Sequence, residues 1–119
     1  MIVGIIGLGL IGGSMAIDLK RRGFARIVLG VEADPVNAAA AERMELVDEI
    51  VPFEECVRRS DITVIAIPVG SAVKMLPQVL DIFKEEGNGK KIVIDTCSTK
   101  SNIVRAAHYH PLRCRFVAT

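Results

Sequence analysis

The residues best placed to do chemistry stand near the amino terminus, in Gly7-Leu8-Gly9-Leu10-Ile11-Gly12. Three glycines at this spacing let a chain turn sharply, approach a bulky anion and then enter a helix close beside its parent strand. Gly7 suits the tight turn, Gly9 the approach of bare backbone to a pyrophosphate, and Gly12 the packing of helix on strand. The free N–H groups and positive end of that helix would face the phosphates, with Leu8, Leu10 and Ile11 completing the cofactor-binding loop. Glycine-rich turns also serve as plain strand-to-helix connections, so the spacing alone leaves both readings open. Glu32 favours the first. It follows Gly12 by about twenty positions, where a carboxylate can accept hydrogen bonds from ribose hydroxyls. A carboxylate there also repels a 2′-phosphate, and Asp34 adds negative charge nearby, so the expected cofactor is NAD rather than NADP. The other reading of Glu32 is a solvated loop acid. Lys20, Arg21 and Arg22 fall at the far end of the helix and read as a solvated terminus.

A loop of this kind needs a strand before it and a helix after it. Ile2 to Ile6 supplies the strand, and Leu10 to Arg22 the helix, with Ile11, Met15 and Leu19 at helical spacing and Gly23 as its stop. Further apolar runs at Ile27 to Val31, Ile62 to Ile67 and Ile92 to Ile94 are too continuous for half-exposed strands and suit a parallel sheet covered on both faces. Between them the sequence predicts a helix over Val36 to Met44, a short strand within Leu46 to Val51 and a short helix over Glu54 to Arg59. A longer helix over Val69 to Glu86 should be kinked or interrupted at Pro77. A helix from Lys100 to Ala107 and a last strand at Phe116-Val117-Ala118 complete the alternation. The fold class is α/β, a Rossmann-type doubly wound, mostly parallel sheet whose ligand should lie beyond the carboxyl ends of the strands.

At 119 residues the chain is expected to form one domain, 1–119, and its 50% hydrophobic content is enough for an ordinary core. A net charge of +1 offers no field for nucleic acid or an anionic membrane, so neither is expected as a partner. The apolar opening Met1 to Ile6 lacks a basic leader and reads as a strand, and no apolar run is long enough to span a membrane; a soluble, cytoplasmic protein is expected. Cys56, Cys97 and Cys114 lack metal-ligand spacing, which points to reduced thiols, with no bound metal and no disulfide.

With these features in hand, the chain resembles the amino-terminal domain of the prephenate and arogenate dehydrogenases of tyrosine biosynthesis. The loop extended through Gly13-Ser14 is close to that family's version. Gly30-Val31-Glu32 stands where the family usually has Gly-x-Asp, Asp61 to Val69 resembles its strand ending in Pro-Val, and Asp95-Thr96-Cys97-Ser98-Thr99-Lys100 resembles its Asp-x-x-Ser-x-Lys. The resemblance implies an oxidative decarboxylation: hydride leaves a ring carbon of prephenate or arogenate for NAD, carbon dioxide departs and the ring becomes aromatic. It implies that Ser98 is catalytic and cofactor-binding, standing near the nicotinamide and helping to orient a histidine. Capping of the following helix is an alternative or additional task for this serine. Ile67 and Pro68, at the end of a strand, are expected to pack along the cofactor, the other reading being ordinary core and turn; Asp95 reads as a loop anchor and Lys100 as a surface charge.

The family's histidine sits in a His-Pro segment after the strand that Phe116 to Thr119 resembles, so it is expected beyond Thr119. His110-Pro111 precedes that strand and reads as a loop, His108 as a helix end, and Cys97 as a small buried hydrophobe. The family's helical dimerisation domain is likewise expected outside this chain. The full-length protein should then be a homodimer acting on a small molecule, and this segment should bind cofactor without turning substrate over. Loss of such a domain would leave an apolar face exposed. Competing readings are another NAD(P)-dependent dehydrogenase or reductase and a stand-alone NAD(H)-sensing module, since fold does not fix function.

Overall fold

The computed structural model describes residues 1–87, 89–96, 101–108 and 110–117. Strands and helices alternate along the chain: β1 (Ile2–Ile6), α1 (Leu10–Arg21), β2 (Ile27–Val31), α2 (Pro35–Arg43), β3 (Glu49–Ile50) and α3 (Phe53–Arg59) form its first half. Its second half is β4 (Ile62–Ile65), α4 (Val69–Glu86), β5 (Ile92–Asp95), α5 (Ser101–His108), a 3₁₀ turn at Arg113–Arg115 and β6 (Phe116–Val117). The strands form one sheet in the order β3-β2-β1-β4-β5-β6, and every pairing is parallel. That order winds outward in both directions from the β1/β4 junction, which is the topological switch point where doubly wound folds hold their ligands.

Continuous apolar strands are explained by a core on each face of the sheet. Val3, Ile5, Val28 and Val64 meet α1 and α2 through Ala16 and Ala41. Ile6, Ile65 and Val93 meet α3, α4 and α5, with Leu76, Leu80, Phe83 and Ile103 fully buried between them. Cys56 of α3 packs as a small hydrophobe against the sheet, and burial pushes its thiol up to about 11, so it is inert at neutral pH. A cavity of about 260 Å³ with a wholly apolar lining lies on the α1 side of the sheet, bounded by Leu19, Phe24, Ile62, Ile92 and Val117. No helix among the described residues is long and apolar enough to cross a membrane.

Three local features depart from the sequence reading. α4 is not interrupted at Pro77, one of the two effects expected of that residue. A proline inside a helix costs about 3 kcal/mol, but Ala72, Leu76, Val79, Leu80 and Phe83 bury one continuous face on both sides of it. At roughly 1.5–3 kcal/mol for each large buried side chain, that face outweighs the proline. In α1 the buried residues are Gly12, Gly13 and Ala16, while Ile11, expected on the core stripe, is 56% exposed. Only small side chains fit where that helix lies this close to the sheet. Finally, β4 ends at Ile65 rather than Ile67, because the chain leaves the sheet to enter α4 behind Pro68, which caps its start. Ile67 and Pro68 thereby become part of a loop at the carboxyl edge.

One buried charge went unread in the sequence. Lys91 is only 5% exposed, and its ammonium donates to the backbone oxygens of Val57 and Arg58 near the end of α3 and to both carboxylate oxygens of Glu86 at the end of α4. Lys91→Met should lower stability by about 1–3 kcal/mol, the range expected when buried acceptors lose their donor. A urea midpoint equal to that of the parent protein would show that these carbonyls do not depend on the ammonium.

Candidate functional site

At the end of β1 the backbone turns at Gly7 with φ +100, a conformation that L side chains rarely adopt. The turn is fixed by the Gly7 N–H, which donates to the carbonyl of Val31 at 2.8 Å. A Cβ on Gly7 would also stand 2.5 Å from the Ala66 carbonyl oxygen, and one on Gly12 would overlap the carbonyl oxygen of Gly7. Two of the three motif glycines are thus demanded by the protein's own atoms. Gly9 is not. Its backbone is extended, with φ −75 and ψ −158, and a Cβ added there would meet nothing within 4 Å.

Gly9 is also the N-cap of α1, and it has no side chain to satisfy the first-turn amides; that turn contains no acidic residue either. These N–H groups and the helix dipole make the position receptive to an anion. Leu8 is buried beneath the loop, where it packs over Gly30, whose Cβ would fall 2.7 Å from Leu8 Cδ1. Leu10 and Ile11 point outward, 88% and 56% exposed. With Gly9 they form one wall of a crevice of about 430 Å³, and Ala66, Ile67, Pro68, Val69 and Thr96 form the rest. The crevice therefore spans the carboxyl ends of β1, β4 and β5. A second cavity of about 430 Å³ beside Lys20 is lined by Glu42, Glu45, Asp48 and Glu49, an acidic lining unsuited to a phosphate.

Glu32 lies on the other flank of the loop, half-buried just past the end of β2. Its Oε1 accepts the Leu8 N–H at 2.7 Å, and its Oε2 accepts the Asp34 N–H at 3.1 Å. Asp34 in turn caps α2 by accepting the Val36 N–H at 2.9 Å, ahead of Pro35 in the first turn. The acid chosen from spacing is therefore held by backbone against the glycine loop and is not a free surface charge.

The structure brings together Gly7, Leu8, Gly9, Leu10, Ile11, Gly12 and Glu32 on one side of the crevice and Ile67 and Pro68 on the other. Ser98, Cys97 and Lys100 lie outside the described residues. Asp95 is fully buried at the end of β5, in register with Ile65. His110 stands away from the crevice in the turn after α5, where its Nδ1 accepts the Leu112 N–H at 3.0 Å and its Nε2 lies 2.7 Å from Asp81 Oδ1. His108 ends α5. Lys20, in the last turn of α1, pairs with Asp48 at 2.7 Å. Ala66, Val69 and Thr96 were not picked out as site residues. The signal for them is topological, since Ala66 and Thr96 directly follow β4 and β5 and Val69 opens α4, all on the ligand side of the switch point.

A six-stranded parallel sheet in this order, with a glycine loop at its switch point and an acid after β2, defines a Rossmann-type nucleotide-binding domain. A family model described as "Prephenate dehydrogenase, nucleotide-binding domain" matches residues 15–119, and the chain belongs to that family. The match begins past the glycine loop, so the loop geometry is an independent observation. The chain is 32% identical to a prephenate dehydrogenase of Lactococcus lactis subsp. cremoris (strain MG1363) over 104 residues, 87% of this chain and 28% of the relative. Among solved structures it is similar to the arogenate dehydrogenase of Synechocystis, with TM-score 0.77 and 28% identity, covering 93% of this chain and 38% of that one. It shares the fold of the A. aeolicus prephenate dehydrogenase crystallised with hydroxyphenyl propionate and NAD+, with TM-score 0.76 and 24% identity, covering 99% of this chain and 40% of that one. The chain spans well under half the length of these relatives.

Proposed function

We propose that this chain is the cofactor-holding part of a prephenate dehydrogenase and that it binds NAD across the β1/β4 junction. The observation that carries the reading is Gly9: the protein's own atoms give no reason for glycine there, and a pyrophosphate resting on the loop does. The family description and the dinucleotide bound by a protein of the same fold support it. The α1 amino terminus would take the pyrophosphate, Glu32 the adenosine ribose, and Leu10, Ile11, Ile67 and Pro68 the apolar surface alongside the rest of the cofactor. When bound, NAD accepts the hydride in an oxidative decarboxylation of prephenate to 4-hydroxyphenylpyruvate. Ser98 is assigned, by resemblance, to the nicotinamide end near the substrate hydroxyl, where it orients the histidine. That histidine and the helical dimerisation domain belong to the full-length, cytoplasmic homodimer, so this chain alone should hold cofactor without turnover. Arogenate is the second reading of the substrate, on the strength of the Synechocystis relative. Activity of the full-length protein on each compound separates the two.

Calorimetric titration of this chain with NAD and NADP tests the cofactor assignment. We expect binding of NAD, and NADP weaker by at least about tenfold because a 2′-phosphate meets the Glu32 carboxylate. Tighter binding of NADP would overturn the role given to Glu32, and binding of neither would overturn the assignment of the crevice.

A further inference from the structure

We propose that Glu32 is a positioning residue for the glycine loop, and that it sets the loop before any nucleotide arrives. Its consequence for cofactor choice rests on the nucleotide reading above; the clamp itself does not. One carboxylate accepts from Leu8 on the loop after β1 and from Asp34 in the turn after β2, so it ties together the two segments that flank the ribose position. A second bond runs parallel to the first, from the Gly7 N–H to the Val31 carbonyl. The loop is thus fastened to the end of β2 at two successive residues. Charge-assisted bonds donated to a half-buried carboxylate are about twice as strong as neutral ones.

This arrangement separates two tasks. A carboxylate has about four acceptor positions, of which Leu8 and Asp34 take one each, leaving two for ribose hydroxyls. Because Leu8 spends its amide on Glu32, the anion must be met by the amides from Gly9 onward. Cofactor choice becomes coupled to loop order. A small residue at position 32 would remove the charge that excludes a 2′-phosphate and would also release the loop that holds the pyrophosphate.

Amide hydrogen exchange of the nucleotide-free protein tests the clamp, with the Val64 amide of β4 as the internal reference for global unfolding. In Glu32→Ala, the Leu8 and Asp34 amides should exchange at least about tenfold faster than in the parent while Val64 is unchanged. Glu32→Gln has a single side-chain oxygen and turns a donor toward the second amide, so only one of the two amides should lose protection. Unchanged protection of both amides in both variants would overturn the proposal. Parallel titration of the parent with NAD keeps the two readings apart. Lost protection in the variants without NAD binding by the parent sinks the nucleotide reading and leaves the clamp. Normal NAD binding with unchanged protection does the reverse. With both standing, Glu32→Ala should bind NAD at least about tenfold more weakly without gaining NADP affinity to match.

Discussion

Gly12→Ala should unfold the glycine loop and abolish nucleotide binding at the same time. The added methyl would overlap the Gly7 carbonyl oxygen and stand 3.3 Å from the Ala66 side chain. Gly7 cannot yield, because its N–H is held by Val31 and its own Cβ position is closed by the Ala66 carbonyl. Relief must come from sliding α1 off β1, which opens the core around Ala16. Overpacking of this kind typically costs 1–3 kcal/mol, and contact with a fixed backbone atom places this case at about 3 or above. For a domain whose stability is of the order of 5–15 kcal/mol, that is a large fraction. Urea denaturation measures the loss directly. A parent-like midpoint together with parent-like NAD affinity would show that α1 can shift without penalty.

Gly9 should behave in the opposite way, which makes the pair informative. Gly9→Ala places a methyl in open space on an extended backbone, so stability should hold or rise by about 0.4–1 kcal/mol as the unfolded chain loses freedom. Its NAD affinity should nevertheless fall. Gly9→Asp should lower NAD affinity by more than about 100-fold, since the side chain fills the approach and sets a negative charge against the pyrophosphate. Calorimetry on protein shown by its denaturation midpoint to be folded reads this without interference from stability. Parent-like NAD binding by Gly9→Asp would move the cofactor away from this loop.

Much of the fold could be read from the sequence because a sheet buried on both faces writes itself as continuous apolar runs, and Ile2 to Ile6 or Ile27 to Val31 allow little else. The loop was legible for a different reason: glycine at positions 7 and 12 is a steric necessity that spacing records. What escaped were properties set by neighbours distant in sequence. The tolerance of Pro77 depends on how much of α4 is buried on either side of it. The exposure of Ile11 depends on the closeness of α1 to the sheet, which leaves room at the interface only for Gly12, Gly13 and Ala16. Lys91 looks like any surface lysine until α3 and α4 end beside it. Glu32 was identifiable as an acid near the crevice, but its bond to Leu8, 24 positions earlier, belongs to the tertiary structure alone.

The place of β1 and β4 in the sheet also has a meaning for the order of assembly. Pairing of β1 with β2 sets Val3 against Val28, a separation of 25 residues, whereas pairing with β4 sets Val3 against Ile62, a separation of 59. Closing the longer span costs only about 0.6 kcal/mol more for each doubling of length. Still, it is the most distant strand pairing among the described residues, and distant contacts are the slow ones to form. The two halves of the sheet can each gather from nearer neighbours, but the crevice exists only once they have joined. The candidate site is therefore the product of the fold's most non-local step, and a chain competent to hold a nucleotide in this crevice is one that has completed its central seam.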